Sequence, residues 1–251
     1  MKKTALITGA TSGIGKATAE LFADNGIRLI ICGRRADRLE TLKVQLSEKT
    51  DVHTLSFDVR DKKDVFAKIE SLPADFAQVD ILVNNAGNAH GLSPIQDGDV
   101  DDWDAMIDIN VKGLLYVSKA IIAQMTERKS GHIINIGSIA GKDVYPNGNV
   151  YNASKFAVNA LNEAMRYDLN EFGIRVGAVH PGLVHTEFSE VRFKGDTERA
   201  EGVYQGYTPL YAEDIADVIF FMVSRRSSVN IADLVIYPTA QASATILNKN
   251  L

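Results

Sequence analysis

Three side chains that together can move a proton lie close to one another in the second half of the sequence. Tyr151 and Lys155 are four residues apart, and Ser138 lies thirteen residues before the tyrosine. On a helix, residues i and i+4 share a face, so the Lys155 ammonium can lie beside the Tyr151 oxygen. A nearby positive charge favours the phenolate and lowers the tyrosine pKa from its reference value of about 10. The trio therefore predicts a tyrosine that acts as acid and base near neutral pH.

The segments around this trio decide between that interpretation and an exposed Tyr–Lys pair on a helix surface. Ser138 directly follows the apolar, strand-like run His132–Gly137. Its hydroxyl can therefore face the same pocket as the tyrosine and contact a substrate oxygen. These residues can only transfer a proton. If they belong to a redox site, the part that binds a cofactor must come from elsewhere in the chain.

A glycine-rich turn near the N-terminus lies between a strand-like run, Ala5–Thr8, and a helical pattern over 14–25. Backbone N–H groups at a helix start attract anions, and glycines let a pyrophosphate approach the backbone closely. The spacing Gly-x-x-x-Gly-x-Gly predicts a dinucleotide phosphate site, with a plain glycine-rich turn as the alternative. The predicted cofactor-binding residues of this turn are Gly9, Thr11, Ser12, Gly13, Ile14 and Gly15.

Two arginines follow the second strand-like run, Leu29–Cys32. At this point, roughly 20 residues after the glycine turn, an acidic residue would bind the ribose 2′-hydroxyl of NAD, whereas arginine accommodates the 2′-phosphate of NADP. Arg34 and Arg35 occupy the place, and a guanidinium matches phosphate geometry through paired hydrogen bonds. The pair favours NADP as cofactor over a merely solvated basic cap on the next helix.

Composition places the chain among ordinary proteins with a large apolar core. It has 251 residues, of which 45% are hydrophobic and 24% charged, with a net charge of −5 and no long block of one sign. We therefore expect small-molecule partners and neither nucleic acid nor an anionic membrane surface. The lone Cys32 and a first strand that begins at once predict a cytoplasmic protein without a signal peptide. The five histidines have no ligand spacing, so no metal is expected.

Strand-like and helix-like segments alternate along the whole chain, which predicts a doubly wound α/β Rossmann domain over 1–251, with seven parallel strands and helices on both faces. One stretch, 186–211, lacks periodicity and follows a strand end, where ligands bind in such sheets. We expect it to cover the substrate. The predicted strands are Ala5–Thr8, Leu29–Cys32, Val52–Phe57, Ile81–Asn84, His132–Gly137, Arg175–His180 and Leu234–Tyr237, and the predicted helices are 14–25, 36–48, 61–71, 109–128, 150–172 and 212–224.

The order and spacing of these motifs resemble those of the short-chain dehydrogenase/reductase family over essentially the whole chain. The resemblance implies that Tyr151 is the catalytic acid and base, that Lys155 also holds the nicotinamide ribose, and that Ser138 binds the substrate oxygen. The motifs that carry it are Thr8–Gly15, Asn84–Gly87, Asn110, Ser138, Tyr151–Lys155 and Pro181–Gly182.

The resemblance also implies roles for residues that spacing alone does not single out. Asn110 would complete a catalytic tetrad and support a water-linked proton path, and Asn84 would steady the central sheet. Family members are usually homotetramers. The further residues implied to border the cofactor are Asp58, Val59, Asn85, Ala86, Gly87, Pro181, Gly182, Val184 and Thr186.

A narrower resemblance points to the NADP-dependent 3-hydroxy acid dehydrogenases, which include serine 3-dehydrogenase types. It is carried by 33–35, 71–74, 182–184, 187–189 and 191–196. It implies an oxidoreductase that oxidises serine, allo-threonine or 3-hydroxypropionate, or reduces the matching 3-oxo acids. Two alternatives stay open: a broad NADPH carbonyl reductase or 3-oxoacyl reductase, and a non-catalytic NADP-binding sensor.

The substrate carboxylate of a 3-hydroxy acid needs a cation near the reacting carbon. The irregular stretch offers Arg192 and Lys194. Arginine is the better candidate because its planar guanidinium group pairs with a carboxylate through two hydrogen bonds. We therefore predict that Arg192 binds substrate together with Ser138 and Tyr151, with two solvated cations on a loop as the alternative.

Overall fold

The computed structural model describes residues 2–250 and contains a seven-stranded, wholly parallel sheet and a separate two-stranded one. Each of the seven strands of the large sheet overlaps one of the seven predicted runs. The strands are β1 (Thr4–Thr8), β2 (Arg28–Gly33), β3 (Val52–Ser56), β4 (Ile81–Asn84), β5 (His132–Ile136), β6 (Arg175–Pro181), β7 (Val184–His185), β8 (Leu210–Tyr211) and β9 (Asp233–Ile236).

The large sheet has the order β3-β2-β1-β4-β5-β6-β9. The first three strands extend to one side of β1, and the chain then returns to place β4 on its other side. This reversal opens a crevice at the carboxyl ends of the strands, the usual ligand site of an open α/β sheet. The fold is therefore the predicted doubly wound Rossmann architecture.

Nine α-helices connect the strands within the described residues. They are α1 (Gly13–Asp24), α2 (Ala36–Leu46), α3 (Lys62–Glu70), α4 (Val100–Ile107), α5 (Leu114–Arg128), α6 (Asn149–Asp168), α7 (Phe188–Arg192), α8 (Thr197–Gly202) and α9 (Ala212–Val223).

The core lies in two layers, one on each face of the large sheet. Successive strand residues point to opposite faces. On β1, Ala5 and Ile7 pack with α1, α2 and α9, whereas Leu6 packs with α3, α5 and α6. Both faces are apolar, which explains why the strands read as continuous hydrophobic runs and not as alternating ones.

A chain of buried side-chain hydrogen bonds crosses the centre of the sheet. The Asn84 amide donates to Ser118 Oγ at 2.8 Å and to Asn135 Oδ1 at 2.9 Å. The Asn135 amide donates to Asn162 Oδ1 at 3.0 Å, and Asn162 donates to the Ala232 carbonyl. These bonds join α5, β4, β5, α6 and the segment before β9, so Asn84 does contact the elements that it was implied to steady.

The segment before β5 differs from the prediction of one helix over 109–128. A separate helix, α4, precedes it, and a π-helical turn over Asp108–Gly113 joins α4 to α5. π-Helical turns inside α-helices are frequent at functional sites. Here the wide turn carries Asn110, which is buried.

The stretch 186–211 is more regular than its sequence indicated. It contains the short helices α7 and α8, and β8 at its end pairs with β7 in parallel, with Val184 opposite Leu210. The Tyr204 hydroxyl donates to the Val184 carbonyl at 2.9 Å and contacts Ser189 Oγ at 2.7 Å. The stretch is therefore fastened at both ends, close to the end of β6.

Two smaller features concern the environment of the chain. Cys32 is a buried free thiol in β2. Across residues 2–250, every helix is too short or too polar to cross a lipid bilayer.

Candidate active site

A cleft of about 540 Å³ opens at the carboxyl ends of the central strands. It runs from the glycine turn after β1 past the ends of β4, β5 and β6 to the stretch 186–211. The cleft brings together most of the residues that the sequence singled out. They are Gly9, Thr11, Ser12, Gly13, Ile14, Arg34, Arg35, Asp58, Val59, Asn85, Ala86, Gly87, Ser138, Tyr151, Lys155, Pro181, Gly182, Val184, Thr186 and Arg192.

Two predicted residues lie outside the lining of the cleft. Gly15 faces inward, where an added Cβ would lie 2.4 Å from both Asn85 Nδ2 and Gly9 O. It allows α1 to pack against the sheet instead of touching a ligand. The second exception is Asn110, which is buried and hydrogen-bonded to Ser154 of α6.

The glycine turn has the conformation that only glycine adopts without strain. Gly9 and Gly13 have φ angles of 66° and 50°, in the left-handed region. The turn is held against β4, because the Asn85 and Ala86 N–H groups both donate to Thr8 Oγ1 at 3.0 Å. The start of α1 therefore faces the cleft with an open backbone, which is the arrangement that binds phosphate.

The two arginines after β2 have different environments. Arg34 is exposed, with Nη1 3.8 Å from Asp58 Oδ2. Arg35 is fixed to the glycine turn: Nε and Nη2 donate to Thr11 Oγ1 at 3.1 and 2.8 Å, and Nη2 also donates to Ser12 Oγ at 2.9 Å. Arg35 is thus the more rigid of the two guanidinium groups at this end of the cleft.

Two further charged residues, which no sequence pattern indicated, complete this end of the cleft. Glu187 accepts from Arg35 Nη1 at 2.9 Å and from Arg38 Nη1 at 2.7 Å. Burial opposes ionisation of Glu187, but the hydrogen bonds from the two arginines outweigh it and lower its pKa. Arg38 is in the first turn of α2, three residues after Arg35, which directly precedes the helix. The position of Glu187 had no local signal, because it is 152 residues from Arg35.

Tyr151 is buried at the other end of the cleft. Its ring contacts Phe188 with 5.7 Å between ring centroids, and Ser138 lies on the same side of the cleft. Ser138 is held in turn by the Ala140 N–H, which donates to its Oγ at 3.1 Å. Burial, and to a lesser degree Tyr145, raise the pKa of Tyr151, whereas Ser138 and Arg192 act to lower it.

Lys155 follows Tyr151 by one turn of α6, as predicted, but its ammonium donates to a backbone carbonyl and not to the phenol oxygen. Nζ donates to the Ile136 carbonyl at 3.0 Å and lies 5.9 Å from the centre of the Tyr151 ring. Burial lowers the pKa of Lys155 to about 8. The predicted lowering of the tyrosine pKa by this lysine is therefore not seen here, because burial of the phenol dominates.

Asn110 connects the catalytic helix to the loop after β4. Its Nδ2 donates to the Asn88 carbonyl at 2.8 Å and to Ser154 Oγ at 2.9 Å, and its Oδ1 accepts from the Asn88 N–H at 2.8 Å. An added Cβ on Gly87 would lie 3.1 Å from Asn110 Oδ1 and 3.5 Å from Lys155 Nζ. A side chain at Gly87 would therefore press against Asn110 and lie in contact with Lys155.

Arg192 lies over the ring of Tyr151. Its guanidinium carbon is 5.6 Å from the centre of the Tyr151 ring and 5.7 Å from that of Tyr145. Nε donates to the Gly91 carbonyl and Nη2 to the Tyr145 hydroxyl, both at 3.1 Å. A cation is therefore held beside the residue that would handle the proton.

Lys194, the other cation considered for the substrate, is directed elsewhere. Its ammonium lies 3.0 Å from Asp102 and 3.5 Å from Asp99, on a second and more polar cavity that Arg192 also borders. Of the two cations considered for the substrate carboxylate, Arg192 is therefore the one that lies at Tyr151.

Comparison with known proteins identifies the class to which this fold and site belong. The family profile described as short chain dehydrogenase matches residues 3–197. The chain belongs to the short-chain dehydrogenase family.

Individual members of the family are similar to the chain over nearly all of its length. Sulfoacetaldehyde reductase 2 of Chromohalobacter salexigens is 46% identical, with 96% of both chains covered. The NADP-dependent 3-hydroxy acid dehydrogenase YdfG of Salmonella typhimurium is 45% identical, with 95% of this chain and 96% of the relative covered. The closed form of a serine dehydrogenase complexed with NADP⁺ superposes with a TM-score of 0.92 at 42% identity, with 96% and 97% covered.

Proposed function

We propose that this protein is an NADP-dependent oxidoreductase that transfers a hydride between NADP and a small 3-hydroxy acid, or reduces the matching 3-oxo acid. Serine, allo-threonine and 3-hydroxypropionate represent the substrate class. The observation that carries the proposal is the position of Arg192, whose guanidinium lies over the ring of the proposed acid and base, Tyr151. The names of the relatives, which include NADP-dependent 3-hydroxy acid dehydrogenase and serine dehydrogenase, support the same reaction.

The residues of the cleft fit NADP. The left-handed glycines leave the backbone at the start of α1 open to a pyrophosphate, and Arg35 is fixed beside it as a partner for the 2′-phosphate. When bound, the cofactor supplies the hydride acceptor or donor. Asp58 and Val59, the loop Asn85–Gly87 and the segment from Pro181 to Thr186 would line its path along the cleft.

Tyr151 and Ser138 would handle the proton. In oxidation Tyr151 takes the proton of the substrate hydroxyl, and in reduction it returns one to the carbonyl oxygen. Ser138 stabilises the negative charge that develops on that oxygen, as a fixed hydrogen-bond donor does. Burial favours the protonated phenol, which is the form that reduction requires.

Lys155 and Asn110 would support this step from the side opposite the substrate. Lys155 would hold the nicotinamide ribose hydroxyls with its buried ammonium. Asn110 fixes the loop at Asn88 to the catalytic helix, and this contact supports its proposed part in a water-linked proton path.

The chemistry of the named relatives supports an anion partner at Arg192. In a 3-hydroxy acid, one carbon separates the reacting carbon from the carboxylate. Sulfoacetaldehyde has the same spacing between its aldehyde carbon and its sulfonate. A planar guanidinium pairs with either anion. The substrate class is therefore best described as small alcohols or carbonyl compounds with an anion at this distance.

A substrate screen with purified protein tests the proposal. We expect turnover of serine, allo-threonine and 3-hydroxypropionate with NADP, at higher kcat/KM than with NAD. Neutral secondary alcohols of similar size should be poorer substrates. Faster turnover of bulky neutral ketones would favour the alternative of a broad carbonyl reductase or 3-oxoacyl reductase. NADP binding without turnover of any of these compounds would favour a non-catalytic sensor.

We also propose a single domain over 1–251, a cytoplasmic location and a homotetramer. The lone buried thiol suits a reducing compartment. Exposed apolar side chains on α5, α6, α9 and the edge strand β9 support self-association; they are Leu115, Phe156, Tyr167, Phe221 and Val235. Light scattering on the eluted peak of a gel-filtration column measures the oligomeric mass directly.

A further inference from the structure

A carboxylate of the protein itself lies beside the arginines at the glycine-turn end of the cleft. Glu187 makes charge-assisted hydrogen bonds to both Arg35 and Arg38. The Nε and Nη2 groups of Arg35 donate to Thr11 and Ser12 of the glycine turn. The carboxylate therefore binds the part of the guanidinium that faces away from the turn.

We infer that Glu187 is an internal competitor for the 2′-phosphate of NADP, and that Arg38 is a further residue of the 2′-phosphate site. Arg35 and Arg38 present their Nη1 groups to one carboxylate, at 2.9 and 2.7 Å. A phosphate has the same preference for paired guanidinium donors. The inference rests on the proposed cofactor, and not on the proposed substrate.

The two anions are mutually exclusive at this position. A phosphate dianion placed on the two arginines beside an ionised Glu187 would face a like charge at contact distance. The hydrogen bonds of Arg35 and Arg38 lower the pKa of Glu187, so the carboxylate remains charged at neutral pH. The carboxylate must leave the arginines when the phosphate binds them.

Displacement of Glu187 would be transmitted to the substrate end of the cleft. Glu187 directly precedes α7, which carries Phe188 against the Tyr151 ring and Arg192 above it. Five residues thus connect the 2′-phosphate site to the proposed anion anchor. Binding of the 2′-phosphate would release the start of α7 from α2, and NAD, which lacks this phosphate, would not.

Binding of two small nucleotides tests the competition without any turnover. Adenosine 2′,5′-bisphosphate carries the 2′-phosphate, and adenosine 5′-monophosphate is its matched control. For Glu187→Gln we expect the bisphosphate to bind roughly 3- to 10-fold more tightly than to wild type. This is the size of effect expected when one exposed carboxylate no longer competes with the phosphate for the arginines. Binding of the monophosphate should be unchanged. Glu190→Gln, on the exposed side of the same helix, should behave as wild type, and Arg38→Gln should weaken only the bisphosphate.

Amide hydrogen exchange over 186–193 tests the release of α7. In wild type the bisphosphate should raise exchange in this segment, whereas the monophosphate should not. In Glu187→Gln exchange should be high from the start and should not respond. Equal or weaker binding of the bisphosphate to Glu187→Gln, or no rise in exchange in wild type, overturns the inference while the NADP assignment stands. A wild type that does not prefer the bisphosphate to the monophosphate overturns the NADP assignment, and the inference with it.

Discussion

Tyr151 illustrates how spacing and environment give different information at the scale of a single residue. The i, i+4 spacing correctly predicted that Tyr151 and Lys155 share one helix face. It could not predict that the ammonium would donate to Ile136 O, nor that burial would raise the pKa of the phenol. The first depends on β5, and the second on residues from several other elements around the ring, such as Met106 and Phe188.

Removal of the Tyr151 hydroxyl tests its assignment as acid and base. Tyr151→Phe keeps the ring that packs on Phe188, so folding and NADP binding should survive. We expect kcat to fall by about 10²-fold or more, the scale of general acid–base catalysis. Single-turnover kinetics with saturating NADP measures this directly. Near-normal turnover would mean that another group moves the proton.

The arginines after β2 allow a second test at this scale. In Arg34→Ala/Arg35→Ala, NADP should bind at least about tenfold more weakly, because a charged hydrogen bond contributes about 1.5–3 kcal/mol. NAD binding should change little, since NAD has no 2′-phosphate. Titration calorimetry with both cofactors gives the ratio, and Arg225→Ala, an exposed arginine after α9, is the control. A wild type that already prefers NAD would contradict the assignment.

At the scale of elements, the buried amide chain through Asn84, Asn135 and Asn162 joins both halves of the sheet to their helices. Asn135 accepts one of these bonds and donates another, and it is completely buried. Its side chain therefore affects the packing of β4, β5 and α6 at once.

Asn135→Ala should destabilise the fold more than an ordinary polar substitution. It leaves the Asn84 amide and the Asn162 oxygen each without one buried partner, and such groups cost about 1–3 kcal/mol each. The midpoint of urea unfolding should fall accordingly. Asn170→Ala, at an exposed amide, is the matched control. Equal midpoints for the two variants would show that the amide chain adds no stability.

The elements that the sequence predicted well are those with strong apolar patterns. All seven strands of the sheet and the long helices α5 and α6 follow from their hydrophobic runs. The helix α4 was missed because Val100–Ile107 is only eight residues long and three aspartates interrupt its apolar residues. The π-helical turn was missed because its shape depends on bonds from Asn110 to Asn88 and Ser154, which no local pattern encodes.

At the scale of the whole molecule, the cleft collects residues from both ends of the sequence at the point where the strand order reverses. Motifs with known spacing, such as the glycine turn, were predictable one by one. Contacts between motifs were not: Arg35 meets Glu187 across 152 positions. The pKa of a buried titratable group could not be predicted from the sequence either, because its neighbours come from several elements.

Acid sensitivity of the whole fold follows from such a buried group. Burial, with smaller effects of Arg175 and Lys3, lowers the pKa of His132 to about 3 from 6.5. Below pH 6.5 the unfolded chain takes up a proton that the folded chain does not. The free energy of unfolding should therefore fall as the pH decreases from 6.5 toward 3, by about 1.4 kcal/mol per pH unit from this residue.

His132→Leu should make stability less dependent on pH in this range. Urea unfolding at several pH values gives the slope for both proteins. Data at about pH 8, where the imidazole is neutral in both states, isolate the change in packing. If the two slopes agree between pH 6.5 and 4, His132 is protonated in the folded protein.

The measurement that tests the proposed substrate class most directly is the ratio of kcat/KM for a 3-hydroxy acid to that for its methyl ester. The two compounds share one carbon skeleton and differ in charge, and wild type should prefer the acid. In Arg192→Ala the kcat/KM for the acid should fall by roughly 10- to 100-fold, equivalent to about 1.4–2.8 kcal/mol, and that for the ester far less. Arg199→Ala, at an exposed arginine of α8, should leave the ratio unchanged. Equal losses on acid and ester would contradict the account, because Arg192 would then only close the cleft and would not bind the anion.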